Sequence, residues 1–373
     1  MPDKRLRVGV LFGGRSAEHE VSLRSALSVM EAMDRDKYEL VPIGVSKAGE
    51  WLRMDAGFLE GPSKTLTLES PMKGNRVALL PHPENQSLVP LDNGARGPQK
   101  PLDVVFPVLH GPLGEDGTVQ GLMELADIPY VGSGVLGSAV GMDKAIMKAL
   151  FLQRGLNITP YRVFLRKQWR DDPGSVLAEC EAAFPCPWFV KPANLGSSVG
   201  ISKVHAAGEL AAAMNDAAQY DRKLIVEAGV HHVREVEVSV MGNDEPQASV
   251  VGEILPSHEF YDYESKYLDE ATRLIIPAEL PGAVADEVRN VAVEAFLALD
   301  LAGLARVDFL LDANTLEVYL SEVNTMPGFT SVSMYPKLWE ASGIPYAELI
   351  DRLIQLAIER HGEIRSNRKS LTT

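Results

Sequence analysis

Residues 322–333 read EVNTMPGFTSVS, and they follow residues 316–321, LEVYLS, whose alternation predicts a β-strand. Continued past Ser321, the same alternation places Glu322 and Asn324 on the face occupied by Leu316, Val318 and Leu320. A carboxylate and an amide on the apolar face of a strand are costly unless they are paired or bound to a metal. Upstream, residues 304–311 (LARVDFLL) put Arg306, Asp308 and Leu310 on one face and Val307, Phe309 and Leu311 on the other. Together residues 304–322 read as a hairpin. Asp308, Glu322 and Asn324 offer hard oxygen donors near the positive Arg306, a set that suits Mg²⁺ shared with phosphate rather than zinc. The same residues also suit a plain Arg–carboxylate ion pair on a solvated sheet face. Register sets a condition. Asp308 faces the same way as Glu322 only if paired residue numbers sum to an even value, so the connecting loop must be odd-numbered or a bulge must correct it. An unbulged two-residue turn at Ala313-Asn314 would exclude the metal site.

Working outward, VKPANLGSSVG (residues 190–200) joins two strand-like segments. Its glycines and Ser197-Ser198 offer backbone N–H groups and hydroxyls that suit polyphosphate oxygens, with Lys191 as a point charge. It lacks the order of a Walker A loop, and an ordinary glycine-rich hairpin turn uses the same residue types. GGRSAEHEVS (residues 13–22) lies at the carboxyl end of the first strand, where open α/β sheets bind ligands. There Glu18 could hold an ammonium group or simply favour the helix dipole. HGPLGEDGT (residues 110–118) ends another strand, and His110 reads equally as structural or functional. Residues 258–280, HEFYDYESKYLDEATRLIIPAEL, form a surface loop or a lid with Lys266-Tyr267 at its tip.

The rest of the chain supplies the frame. Residues 7–12, 40–45 and 104–109 read as buried strands and residues 119–125 as a helix, which predicts an open parallel α/β unit; residues 62–100 read as hairpins and loops. A second unit carries a helix at 143–154, strands at 162–165, 188–191 and 224–227, and a helix near 175–183. A strand-rich third unit has strands at 235–241 and 249–255, helices at 283–299 and 346–360, and a frayed tail from 362. The expected divisions are 1–132, 133–228 and 229–373, with a lid at about 256–278. With 373 residues, 46% hydrophobic and 23% charged, the chain is long enough for two or three cores. A net charge of −15 argues against nucleic acid or an anionic membrane as partner. The two cysteines, Cys180 and Cys186, read as reduced thiols, and no apolar run reaches membrane-spanning length. The expectation is a soluble, cytoplasmic protein.

The ordered set G-G-x-S-x-E-x-E-V-S, H-G-x-x-G-E-D-G-T, V-K-P-x-x-x-G-S-S-V-G, F-Y-D-Y-x-x-K-Y, R-x-D and E-x-N-T-x-P-G-x-T-x-x-S resembles the D-alanine–D-alanine ligase family of ATP-grasp enzymes. Each motif is modest alone; their conjunction over nearly the whole chain is specific. The resemblance implies three domains, with ATP held between two antiparallel sheets, and ligation of two D-alanines through an acyl phosphate for peptidoglycan synthesis. It implies that Lys144 and Lys191 contact ATP phosphates, with Ser197 and Ser198 in the same loop. Glu227 and Val230 would border the adenine, Glu235 the ribose. Asp308, Glu322 and Asn324 would ligate two Mg²⁺ ions, with Mn²⁺ a substitute. Glu18, helped by His110, would hold the first D-alanine's ammonium, and Ser197 and Tyr267 would link Glu18 to the lid. Arg306 and the Gly328 amide would stabilise the oxyanion, Lys266 would reach the reacting phosphate, and Ser333 the second D-alanine's carboxylate. A homodimer is implied as well. One departure stands out: EAGVHHVRE, residues 227–235, is one residue longer than the common family spacing, which bears on Val230. Alternatives are a D-alanine–D-lactate or D-alanine–D-serine ligase, another ATP-grasp ligase, or a non-catalytic nucleotide-binding protein of this fold.

Overall fold

A computed structural model describes residues 5–54, 74–84, 86–92, 100–255 and 273–368. The first sheet has the order β5-β4-β3-β2-β1-β6. Its strands are β1 (Leu6–Gly13), β2 (Tyr38–Val45), β3 (Trp51–Arg53), β4 (Asn75–Leu79), β5 (Leu88–Pro90) and β6 (Val104–Val108). Only β2, β1 and β6 run parallel; β3, β4 and β5 extend the sheet as antiparallel strands. The expected open parallel unit is therefore half of a mixed sheet. Its added strands are two of three residues and one of five, too short for a period of two to stand out.

One face of this sheet is covered by α1 (His19–Ala32) and by the last helix, Tyr346–Ser366. Val8, Phe12 and Phe106 share a core with Met30, Leu349, Leu353 and Ile354. The chain's end thus seals its beginning. That helix runs to Ser366, so residues 362–366 continue a helix where a frayed tail was expected. The opposite face packs against α2 (Thr118–Leu125) through Val119 and Met123.

Two more helices precede the second sheet, α3 (Val135–Met142) and α4 (Lys144–Gln153), and α5 (Arg166–Asp171) follows its first strand, β7 (Tyr161–Leu165). Asp143 caps α4, accepting from the N–H groups of Ala145 and Ile146 at 3.1 and 3.2 Å, which fixes where Lys144 starts. The sheet has the order β7-β10-β8-β9, with β8 (Trp188–Pro192), β9 (Ser202–Val204) and β10 (Lys223–Ala228). The helices α6 (Pro173–Ala183) and α7 (Leu210–Tyr220) cover one face, where Trp188, Val190, Leu224 and Val226 are buried with Cys180 and Met214. Alternation then sends Phe189, Lys191 and Glu227 to the other face.

The third sheet has the order β13-β12-β11-β14-β15. Its strands are β11 (Val233–Gly242), β12 (Gln247–Leu255), β13 (Arg273–Ile275), β14 (Gly303–Asp312) and β15 (Val318–Asn324). Behind it lies α8 (Gly282–Ala298), against which Val236, Val238, Val307, Phe309 and Leu311 are buried. Burying such side chains contributes about 1.5–3 kcal/mol each, so a one-residue slip that exposed them would cost many times the worth of a single ion pair. The alternation of β14 is pinned by its core face. The helix α9 (Met334–Ala341) follows the EVNTMPG turn and precedes α10 (Tyr346–Ser366). Among the described residues, no helix is long and apolar enough to cross a membrane.

Candidate active site

The hairpin resolves the polar residues at the end of β15. Arg306 pairs with Asn324 and Asp308 with Glu322, whereas Phe309 pairs with Leu320, so Ser321 has no partner and the ladder bulges there. Between the paired residues Leu311 and Val318 the loop alone would give the wrong parity, and the bulge restores it. Glu322 and Asn324 therefore do not share the face of Leu320, as uninterrupted alternation predicts. Val318, Leu320 and Val323 are buried in the core, and Glu322 and Asn324 lie with Arg306 and Asp308 on the cleft side.

On that side Arg306 donates to both oxygens of Asp308, at 2.7 Å each, and its Nε stands 3.0 Å from Glu237. The Asn324 amide donates to Asp308 Oδ2 at 2.9 Å. Glu322 faces the ammonium of Lys144 at 3.3 Å, and Lys144 also donates to the Leu195 carbonyl at 2.9 Å. The ion-pair reading of Asp308 and Arg306 is thus realised. The oxygen set still fits Mg²⁺: two carboxylates and an amide oxygen sit on adjacent strands, and Asn324 can turn its carbonyl inward. Among the described residues no group of three or more His, Cys, Asp or Glu side chains could hold a metal by itself. A cation held here would take the rest of its shell from phosphate and water, which is how Mg²⁺ usually binds.

Across the cleft, Lys191 donates to Glu227 Oε2 at 3.1 Å, and Phe189, Lys191, Ser198, Lys203, Glu227 and Val230 line one cavity with Glu235, Asp308 and Glu322. Burial pushes the Glu227 carboxyl up, but Lys148 and Lys191 outweigh it and hold the group below the usual range. The extra residue between Glu227 and Glu235 is absorbed in a turn at His231-His232, where His232 adopts a left-handed φ of 47°. Val230 and Glu235 still line the same cavity.

The glycine-rich stretch bends sharply, with Ser197 and Ser198 at φ 50° and 57°. Such backbone for a residue with a side chain is strained and turns successive N–H groups to one side. Ser197 donates its hydroxyl to Glu18 Oε1, joining the second sheet's loop to the first strand's loop. Glu18 occupies the cap position of α1, but its side chain makes no capping hydrogen bond. A Cβ at Gly111 would stand 2.6 Å from Glu18 Oε2, and φ there is +75°, so both space and backbone call for glycine.

His110 is buried and both ring nitrogens are engaged. Nδ1 donates to the Met326 carbonyl at 3.0 Å and Nε2 lies 3.3 Å from the Ser25 hydroxyl. Burial lowers its pKa despite the nearby Glu18, leaving a neutral ring that ties the first sheet's loop to the EVNTMPG turn. Phe329 anchors the same turn, its ring 5.8 Å from Phe106 and 5.5 Å from Tyr335. Gly328 and Ser333 are neighbours: a Cβ on the glycine would stand 3.2 Å from Ser333 Oγ, which accepts from the Thr330 N–H at 3.1 Å. Lys266 and Tyr267, with most of the expected lid, lie outside the described residues.

One residue that motif reading passed over is Glu115. Its carboxylate accepts from the N–H groups of Gly111 at 2.7 Å and Met326 at 3.2 Å. Burial and the charge of Glu18 push its carboxyl up to about 8, against the pull of those two donors. It too bridges the first sheet's loop and the third sheet's turn. Glu115→Ala should lower stability by about 1–3 kcal/mol, through two unpaired amides; an unchanged thermal midpoint would show that the clamp is dispensable.

Two antiparallel sheets meet across a cleft, with lysines reaching in from one side and carboxylates from the other; this arrangement defines an ATP-grasp ligase. Family models described as D-ala D-ala ligase N-terminus and C-terminus match residues 7–133 and 150–355. The chain belongs to the D-alanine–D-alanine ligase family. It is 53% identical over 360 residues to a D-alanine–D-alanine ligase of Heliobacterium modesticaldum, covering 96% of each chain. Among solved structures it resembles the D-alanine–D-alanine ligase of Coxiella burnetii, with TM-score 0.83, 33% identity and coverage of 97% and 96% of the two chains. The VanG D-Ala:D-Ser ligase of Enterococcus faecalis gives TM-score 0.83 at 34% identity, covering 95% of this chain and all of that one, 100%.

Proposed function

We infer that this chain joins two D-alanines into D-alanyl-D-alanine, with ATP converted to ADP and phosphate, for the peptide part of a cell-wall precursor. The observation that carries this reading is the cleft itself, where Lys144 from α4 meets Glu322 beside Asp308 while Ser197 reaches Glu18. A carboxylate does not condense with an amine unaided, because oxide is a poor leaving group. Phosphoryl transfer from ATP to the first D-alanine's carboxylate makes an acyl phosphate. The second D-alanine's amine then attacks the carbonyl, the C–N bond forms, and phosphate leaves.

In this reading Glu18 holds the first D-alanine's ammonium, and His110 acts by fixing the loop beside it. Lys144 and Lys191, with Lys266 from the lid, neutralise the phosphates, and the Ser197-Ser198 turn offers its N–H groups. Asp308, Glu322 and Asn324 would hold two Mg²⁺ ions, or Mn²⁺ in their place. That metal supplies charge neutralisation on the transferring phosphoryl group. Val230 and Glu227 border the adenine and Glu235 takes the ribose. Arg306 and the Gly328 N–H are aimed donors for the tetrahedral oxyanion. Ser333 receives the second D-alanine's carboxylate. Tyr267 links the lid to Ser197, and closure excludes water from the acyl phosphate. The same reading divides the chain at 132 and 228, with the lid at about 256–278, and makes the protein a cytoplasmic homodimer.

The direct test is phosphate release with ATP, Mg²⁺ and single D-amino acids. Release with D-alanine alone is expected; none with any amino acid would favour a binding protein of this fold. Acceptor choice is tested separately. Tyr267→Phe should weaken the preference for an amine over a hydroxy-acid acceptor, and an unchanged product ratio with D-alanine and D-lactate would remove Tyr267 from that choice.

A further inference from the structure

The two oxygens of the Glu227 carboxylate have unequal surroundings. Oε2 is crowded: Lys191 Nζ lies at 3.1 Å, and Lys148 Nζ and the Thr159 hydroxyl each lie at 3.5 Å. Oε1 is buried and has no hydrogen-bond partner among the described residues. A carboxylate oxygen out of water and unmatched is costly, so a site built this way is completed by a donor. Glu227 lines the cleft, which places that donor on whatever the cleft holds.

Lys148 is the less obvious of the two cations. It lies one turn beyond Lys144 on α4, yet the two lysines serve different ends. Lys144 reaches the Leu195 carbonyl and Glu322. Lys148 is 1% exposed, bounded by Glu227, the Thr159 hydroxyl and the Tyr161 ring 5.9 Å away. It is not among the cavity-lining residues, whereas Lys191 is. Lys191 is therefore free to turn toward a phosphate, and Lys148 is the cation that stays with Glu227 when it does. An ammonium buried to this degree needs its partner as much as the partner needs it.

We propose that Lys148 is a specificity-determining residue acting through Glu227: it holds Oε2, so that Oε1 is presented to accept a hydrogen bond from the exocyclic amine of a purine in the cleft. This rests on the ATP-dependent reading above. An ionised carboxylate only accepts, so it favours an amino purine and opposes a purine that offers a carbonyl or nothing at that position. Lys148 is a positioning residue; it touches neither nucleotide nor reacting atoms.

The test compares kcat/KM for ATP with that for purine riboside 5′-triphosphate, which lacks only the exocyclic amine. The ratio of the two is independent of how much of a variant is folded. The parent enzyme should prefer ATP by about tenfold or more, the worth of a hydrogen bond to a charged group. In Lys148→Met the ratio should fall toward one. Thr159→Val, a milder change in the same chain of contacts, should lower it by a smaller factor and serves if the first variant does not fold. A parent-like ratio in the Met variant, or in the Val variant where only that one folds, overturns the proposal. A parent ratio near one also overturns it, by removing the amine contact, while leaving the ligase reading intact. Absence of turnover with ATP and D-alanine overturns both.

Discussion

Glu322→Gln should turn over D-alanine on the order of 10²-fold more slowly than the parent, or worse, even at saturating Mg²⁺. The substitution keeps the side chain's size and its place beside the bulge. It removes one of the two negative charges that the cleft side of the hairpin offers a cation, and it takes from the Lys144 ammonium the carboxylate that stands 3.3 Å away. Both effects fall on the phosphoryl group in flight. The measurement is kcat at increasing Mg²⁺, since a lost ligand also raises the concentration needed. Near-parent kcat at saturating Mg²⁺ would show that Glu322 serves only Lys144.

Arg306→Met should cost about 10²–10³ in kcat, the effect of removing one oxyanion donor, with little change in KM for ATP. Arg306 makes a bidentate contact to Asp308 and a further contact to Glu237. It therefore begins the reaction cycle as a fixed fork whose direction two carboxylates set. The methionine retains the packing of the stem and deletes the charge. Melting curves of the variant would separate lost chemistry from a loosened hairpin, and a kcat within a few-fold of the parent would remove Arg306 from the oxyanion.

The core face of β14 is legible because from Ala305 onward the strand buries every second residue, and alternation records that. Val307, Phe309 and Leu311 had to be inside, so Arg306 and Asp308 had to be outside. Uninterrupted alternation puts Glu322 and Asn324 on the apolar face, because the bulge at Ser321 depends on the partner strand, which local alternation does not contain. Glu115 was missed because its worth lies in two backbone amides far apart in sequence. Lys148 was missed because a lysine four residues after another on a helix reads as a solvated stripe. The helix Leu210–Tyr220 has a weaker signal, because in LAAAMNDAAQY the buried side carries only two large apolar residues, Leu210 and Met214, beside Ala213 and Ala217. His110 reads from the sequence equally as structural or functional, and its two ring contacts make it a loop tie.

The unpaired Ser321 has a last consequence, which concerns insertions and deletions. Remove Ser321 and regular alternation from Leu320 to Glu322, Val323 and Asn324 leaves every one of them on the face it already holds. Remove Glu322 and Ser321 takes its place on the cleft side without the carboxylate; remove Val323 and either Glu322 or Asn324 is turned to the core face. The strand thus contains one dispensable residue next to two that are not, and inward-outward phase is not what the dispensable one supplies. Ser321 lines the nucleotide-side cavity, and a bulge bends and twists its strand more sharply than a regular ladder. Its contribution is the bulge itself, beside which Glu322, the one carboxylate of β15, faces Lys144 at 3.3 Å.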